Sequence, residues 1–170
     1  MKGMAGMDFQ VGDKVVHWAY GPGEIINLEE KVLSGQTNLY YVVQVNDLTL
    51  WVPSDEKGKR SMRLPTPASE FENLFVVLRS PGEPLPNDRL ERKLALSERM
   101  KDGTLESICR VIRDLHYYRQ TQKFNESDTS TLERAQKFLL NEWRISLSIP
   151  VAQAEKELRK LLGADLPDHK

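Results

Sequence analysis

The feature that most constrains this chain is a change of hydrophobic rhythm near Pro65 and Pro67. Before it, apolar residues come in short runs rich in β-branched and aromatic side chains. After it, they recur every three or four residues. In the first part, FQVGDKVVHW, GEIINLEE, LYYVVQVN and LTLWVP read as strands. Gly21-Pro22-Gly23 and Ser34-Gly35 supply turns between them, and Asn46-Asp47 gives a two-residue hairpin signal. Leu39, Tyr41, Val43 and Val45 alternate with Tyr40, Val42 and Gln44, and both faces are apolar enough to be partly covered. Short strands with so few residues between them predict a small closed barrel of SH3 or Tudor type, because closure removes exposed edges. Ser54 to Arg63 is polar and is expected to form a mobile loop.

The second part predicts helices. A short one near Ser69–Arg79 carries Phe71, Leu74, Phe75 and Leu78 and stops before Pro81-Gly82, and Pro84 and Pro86 then form a stiff connector. Another runs from about Asp88 to Lys101 and ends at Asp102-Gly103. Thr104 caps a third, with Leu105, Ile108, Ile112 and Leu115 on one face. A fourth is expected to begin at Ser130, with Glu133 completing a capping box and Leu132, Ala135, Leu139, Trp143 and Leu147 as its apolar stripe. Ser148 and Pro150 open a fifth, with Val151, Ala154, Leu158 and Leu161 inward. The fold class is therefore α+β in two domains, a small SH3/Tudor-like β-barrel followed by a compact helical bundle. The expected boundaries are a disordered lead over 1–7, the barrel over 8–66, a helix and proline-rich connector over 67–86, the helical domain over 87–163 and a tail over 164–170.

Composition narrows the function classes. No apolar run approaches membrane-spanning length, and the opening MKGMAGM lacks a signal-peptide core. The single cysteine, Cys109, forms no internal disulfide and points to a reducing cytoplasm. His17, His116 and His169 are scattered, without metal-ligand spacing. No phosphate-binding glycine loop or nucleophile elbow occurs, and no base accompanies Cys109. The chain is expected to be no enzyme, with no metal, cofactor or small-molecule substrate. Although the formal net charge is -1, nine basic residues face five acidic ones between Arg89 and Lys123. Such a local excess attracts polyanions, although on charge alone a solvated helical surface of mixed charge is the simpler reading.

Several strings together resemble the CarD/CdnL family of bacterial transcription regulators. They are F-x-V-G-D-x-V-V over Phe9–Val16, G-x-x-x-x-I over Gly21–Ile26, LTLWVP over Leu48–Pro53 and LFVVLR over Leu74–Arg79. In the helical half, Val111-Ile112-Arg113-Asp114-Leu115 and Arg134-Ala135-Gln136-x-x-Leu139-x-x-Glu142 fall where the family has closely similar strings. The resemblance runs from about Asp8 to Gly163. It implies a barrel that binds the β subunit of bacterial RNA polymerase by β-augmentation, and a bundle that binds promoter DNA at the upstream edge of the transcription bubble. The implied outcome is a modulated open-complex stability in the cytoplasm, at the nucleoid through polymerase.

The resemblance also implies site residues. Lys31 and Trp51 stand at the polymerase-facing edge; for Trp51, packing against Tyr41 is an equal alternative, and Trp18 is expected in the core. Arg89 stands where relatives usually carry a tryptophan that wedges into the opened DNA, and no aromatic occurs from Asn87 to Gly103. Binding by charge more than by an aromatic wedge follows. Arg92 and Lys93 match basic positions and are expected phosphate contacts. Arg110, Arg113 and Tyr117 share a sector of about 60° on their helix, so both arginines join the expected DNA surface, a structural ion pair being the alternative for Arg113. Two other functions fit the same features: a polymerase-docking protein that does not bind DNA, and a Tudor- or SH3-like peptide-binding scaffold.

Overall fold

Four strands build the first part by successive antiparallel pairing, and a fifth returns to the first. They are β1 (Lys14–His17), β2 (Gly21–Leu33), β3 (Gln36–Val45), β4 (Leu48–Pro53) and β5 (Met62–Arg63), in the spatial order β4-β3-β2-β1-β5. The computed structural model describes residues 9–163. The expected lead over 1–7 and tail over 164–170, His169 included, lie outside the described residues. Strand alternation sends Val15, Ile25, Tyr41, Val43, Val45 and Val52 into one cluster, closed by Phe9 and Met62. A bulge at Ile26 separates the pairs Ile25–Val43 and Asn27–Val42, so the extra residue is left exposed.

Local chemistry overturns two expectations here. Gly21-Pro22-Gly23 is not the turn but the start of β2, and the turn is Trp18–Ala19–Tyr20. His17 Nδ1 makes it by accepting the backbone N–H groups of Ala19 at 3.1 Å and Tyr20 at 3.4 Å. Gly23 serves close strand approach, since an added Cβ would stand 2.5 Å from the Gln44 carbonyl oxygen. The stretch Ser54 to Arg63, expected as a mobile loop, contains α1 (Glu56–Arg60) and β5. The Asp55 carboxylate caps α1 by accepting the Gly58 N–H at 3.0 Å.

The chain divides into two compact units between Pro65 and Thr66. The second unit begins with a 3-10 turn over Ala68–Glu70 and holds α2 (Phe71–Arg79), α3 (Arg89–Asp102), α4 (Leu105–Thr121), α5 (Glu126–Leu147) and α6 (Val151–Leu161). Its core gathers Phe71, Leu74 and Leu78 of α2 with Leu96, Ile112, Leu115, Leu139, Trp143 and Leu158. The segment expected as a connector is thus part of the bundle. Leu85 is buried in the core, and the Glu83 N–H donates to Asp114 Oδ1 at 2.8 Å. Helix α5 starts at Glu126, ahead of the expected Ser130. Asn125 caps it by a reciprocal box with Asp128, an arrangement that outcompetes the Ser130–Glu133 pattern within the same first turns.

One ion pair locks α3 to α5. Arg92 Nε and Nη2 donate to the two Asp128 oxygens at 2.8 and 3.0 Å, and both side chains are only 3% exposed. Arg92 Nη1 reaches the Pro86 and Asn87 carbonyls, and its guanidinium lies 4.6 Å from the Tyr118 ring centre. All three guanidinium nitrogens donate, four hydrogen bonds in all, which is what makes a buried guanidinium tolerable. Removing one partner strands a buried charge. Asp128→Ala is expected to lower unfolding free energy by about 3–5 kcal/mol in urea denaturation, and Arg92→Met with Asp128→Leu to restore most of it.

Candidate functional site

The residues expected to act sort into three groups by burial. Arg92 and Arg113 are buried, at 3% and 6% exposure, and cannot reach a phosphate without unfolding their surroundings. This corrects the expectation for Arg92, and for Arg113 it realises the ion-pair alternative. Arg92 belongs to the clasp with Asp128, and that hydrogen bond raises its pKa further, so it stays charged. Arg113 Nε donates to Asp114 Oδ1 at 2.9 Å and Nη1 to Ser80 Oγ at 2.9 Å. Asp114 also accepts Arg99 Nη1 at 2.7 Å. Together these contacts pin the proline-rich segment onto α4. Arg110 is half-exposed and paired with Glu106 one turn earlier at 2.7 Å, a bond that raises its pKa.

Arg89 and Lys93 are exposed on α3. Asp88, the N-cap, accepts the Glu91 N–H and leaves Arg89 projecting from the first turn. Lys93 stands one residue beyond the clasp and rims an open concavity of about 400 Å³ with Glu126, Ser127, Ser130, Thr131 and Arg134 of α5. Among the described residues neither Lys93 nor Arg134 forms a salt bridge. Two unpaired cations and three hydroxyls against one carboxylate can hold an oxyanion by charge and by several directed donors. Arg134 was absent from the expected site. Its signal was present, because Ser127, Ser130, Thr131 and Arg134 follow i, i+3, i+4, i+7 spacing and so form one polar face.

In the first unit Lys31 and Trp51 come together on the sheet face opposite the core. Lys31 Nζ lies 4.5 Å from the Trp51 ring centre, and Trp51 Nε1 donates to Glu29 Oε1 at 3.1 Å. Packing of Trp51 against Tyr41 does not occur. Trp51 pairs with Val42, whereas Tyr41 points into the core and meets Phe9 edge-on. The cluster borders β4, which pairs only with β3 and forms one edge of the sheet among the described residues. Trp18 is not core either, being 49% exposed on the turn after β1.

Two family descriptions match the chain: "CarD-like/TRCF RID domain" over residues 9–64 and "CarD, C-terminal domain" over residues 73–159. The chain belongs to the CarD family of bacterial transcription regulators. It is also similar to a Bacillus subtilis protein described as "Putative transcription factor YdeB", with 26% identity over 151 residues. That alignment spans 85% of this chain and 96% of the relative. The two matches of this CarD-family protein fall either side of the structural division at Pro65. No helix among the described residues is long and apolar enough to cross a membrane.

Other chemistry is sparse. Among the described residues no group of histidine, cysteine and carboxylate side chains could hold a metal ion. Cys109 is fully buried, and burial together with nearby Glu142 and Glu106 pushes its thiol pKa up to about 12. A buried neutral thiol is a poor nucleophile. In native protein Cys109 is therefore expected to resist a thiol-reactive chromogenic reagent near neutral pH, reacting only at the rate of unfolding. Rapid stoichiometric labelling without denaturant would contradict this burial.

Proposed function

We propose that the protein binds the β subunit of RNA polymerase with its first unit and promoter DNA at the upstream edge of the bubble with its second, thereby modulating open-complex stability. The observation that carries the DNA part is the concavity of Lys93 and Arg134 over Ser127, Ser130 and Thr131. Its two free cations suit consecutive backbone phosphates, and the hydroxyls add donors that do not depend on base identity. Arg89, exposed at the start of α3, adds a cation at the position where the family resemblance implies an aromatic wedge.

For polymerase, the open edge of β4 supports main-chain pairing with a strand of the partner. Trp51, held by Glu29 and Lys31, offers a half-exposed ring beside that edge. Lys31 supplies charge for an acidic surface. Binding to opened promoter DNA in preference to closed DNA shifts the equilibrium toward the open complex by the difference in binding free energy.

Each phosphate contact releases condensed counterions, so the salt dependence of binding counts contacts. The Lys93→Ala/Arg134→Ala variant is expected to reduce the log–log salt slope for forked promoter DNA by about two units. An unaltered slope would remove the concavity from the DNA surface. Wild-type protein that fails to bind the fork at low salt would instead favour a polymerase-docking role without DNA. Arginine separates stacked bases less well than tryptophan, so Arg89→Trp is expected to lengthen open-complex lifetime after competitor challenge. An unchanged or shorter lifetime would argue against a wedge at this position.

A further inference from the structure

One corner of the first unit joins exposed aromatic rings to most of that unit's positive charge. Trp18 and Tyr20 project from the turn after β1, at 49% and 52% exposure. His17 stacks against Trp18 with ring centres 6.2 Å apart and packs at 5.2 Å against Tyr20. The Trp18 backbone N–H donates to the Ser61 carbonyl at 3.0 Å, which brings the turn beside the C-terminal end of α1. Of the six lysines and arginines between residues 9 and 65, four lie at Lys57, Lys59, Arg60 and Arg63. Seven acidic residues occur in the same span, yet only Glu56 lies within the basic stretch from Glu56 to Arg63. Lys57 and Arg60 are exposed, and among the described residues they form no ion pair.

We propose that this corner, with Trp18 and Tyr20 as stacking rings and Lys57 and Arg60 as backbone contacts, is a binding site for single-stranded DNA. Unpaired bases present a π-face to any accessible ring, whereas bases in a duplex are already stacked on one another. Rings interleaved with cations are the chemistry by which proteins hold single strands without reading sequence. The rings are also held in place before any ligand arrives. His17 Nδ1 accepts the two N–H groups that shape the turn, and burial lowers the His17 pKa, which keeps that nitrogen an acceptor at neutral pH. An acidic protein segment would use the cations but would have no need of two exposed rings. The site is separate from the concavity of the second unit and does not depend on it.

The test is fluorescence anisotropy of labelled oligothymidylate with the full chain, repeated with duplex DNA and with oligouridylate. Trp18→Ala is expected to weaken oligothymidylate binding about tenfold, Trp18→Phe to retain most of it, and duplex affinity to stay unchanged. Lys57→Ala/Arg60→Ala is expected to reduce the salt slope for the single strand by about 1.4 units. In the Lys93→Ala/Arg134→Ala background the Trp18-dependent component is expected to persist, which separates this site from the proposed promoter surface. Unchanged single-strand affinity in Trp18→Ala would overturn the proposal. So would an equal loss for duplex and single strand, or a response to Lys57 and Arg60 without one to Trp18. Tighter binding of oligouridylate than oligothymidylate would overturn the assignment to DNA.

Discussion

The pair between Arg92 and Asp128 is the constraint on which the helical unit depends. One carboxylate completes the capping box of α5, receives two guanidinium bonds from α3 and so fixes the separation of the two helices. The same guanidinium holds the Pro86 and Asn87 carbonyls at the entry to α3. Lys93, the next residue, is thereby set against the hydroxyl face of α5, and the concavity follows from that register. The charge spent inside the protein does not bind a ligand itself. It positions the charge that remains outside.

A second buried network repeats this arrangement one layer away. Asp114, fully buried, gathers Arg99, Arg113 and the Glu83 N–H and thereby fastens the proline-rich segment to α3 and α4. Gly82 makes the contact possible, because a Cβ there would stand 2.3 Å from the Tyr117 Cβ. Buried ion pairs of this kind contribute little net stability over apolar replacements, but they penalise every alternative packing that leaves one charge alone. Their effect is a single defined geometry for α3, the helix that carries Arg89 and Lys93.

The fold was largely legible because each unit obeys one period. Tyr41, Val43 and Val45 alternate into the sheet core, and Leu105, Ile108, Ile112 and Leu115 recur on the inner face of α4. The site was less legible, because charge in a sequence carries no record of burial. Arg92 and Lys93 are neighbours of like charge, yet a 100° step around α3 buries one and exposes the other. The acid that decides this, Asp128, lies 36 residues away in sequence. For Arg113 the ion-pair alternative is the one realised, since Asp114 and Ser80 hold two of its three guanidinium nitrogens inside the bundle. Trp18 is expected in the core, yet the His17 side chain bonds the turn and leaves the ring outside. The start of α5 differs from the expectation because two capping patterns overlap, and the reciprocal Asn125–Asp128 box, with Asp128 also paired to Arg92, is the one formed.

Under the proposed function two surfaces have different tasks: a sheet edge would attach the protein to the transcription machinery, and a helical face would meet DNA opened nearby. In that proposal attachment would come first, because near-neutral overall charge gives little long-range attraction to DNA by itself. The most direct measurement is therefore calorimetric titration of the full chain into the purified β subunit of its own polymerase. The account predicts a saturable complex of one protein per β subunit. Absence of association at concentrations where both proteins are folded and soluble would contradict it.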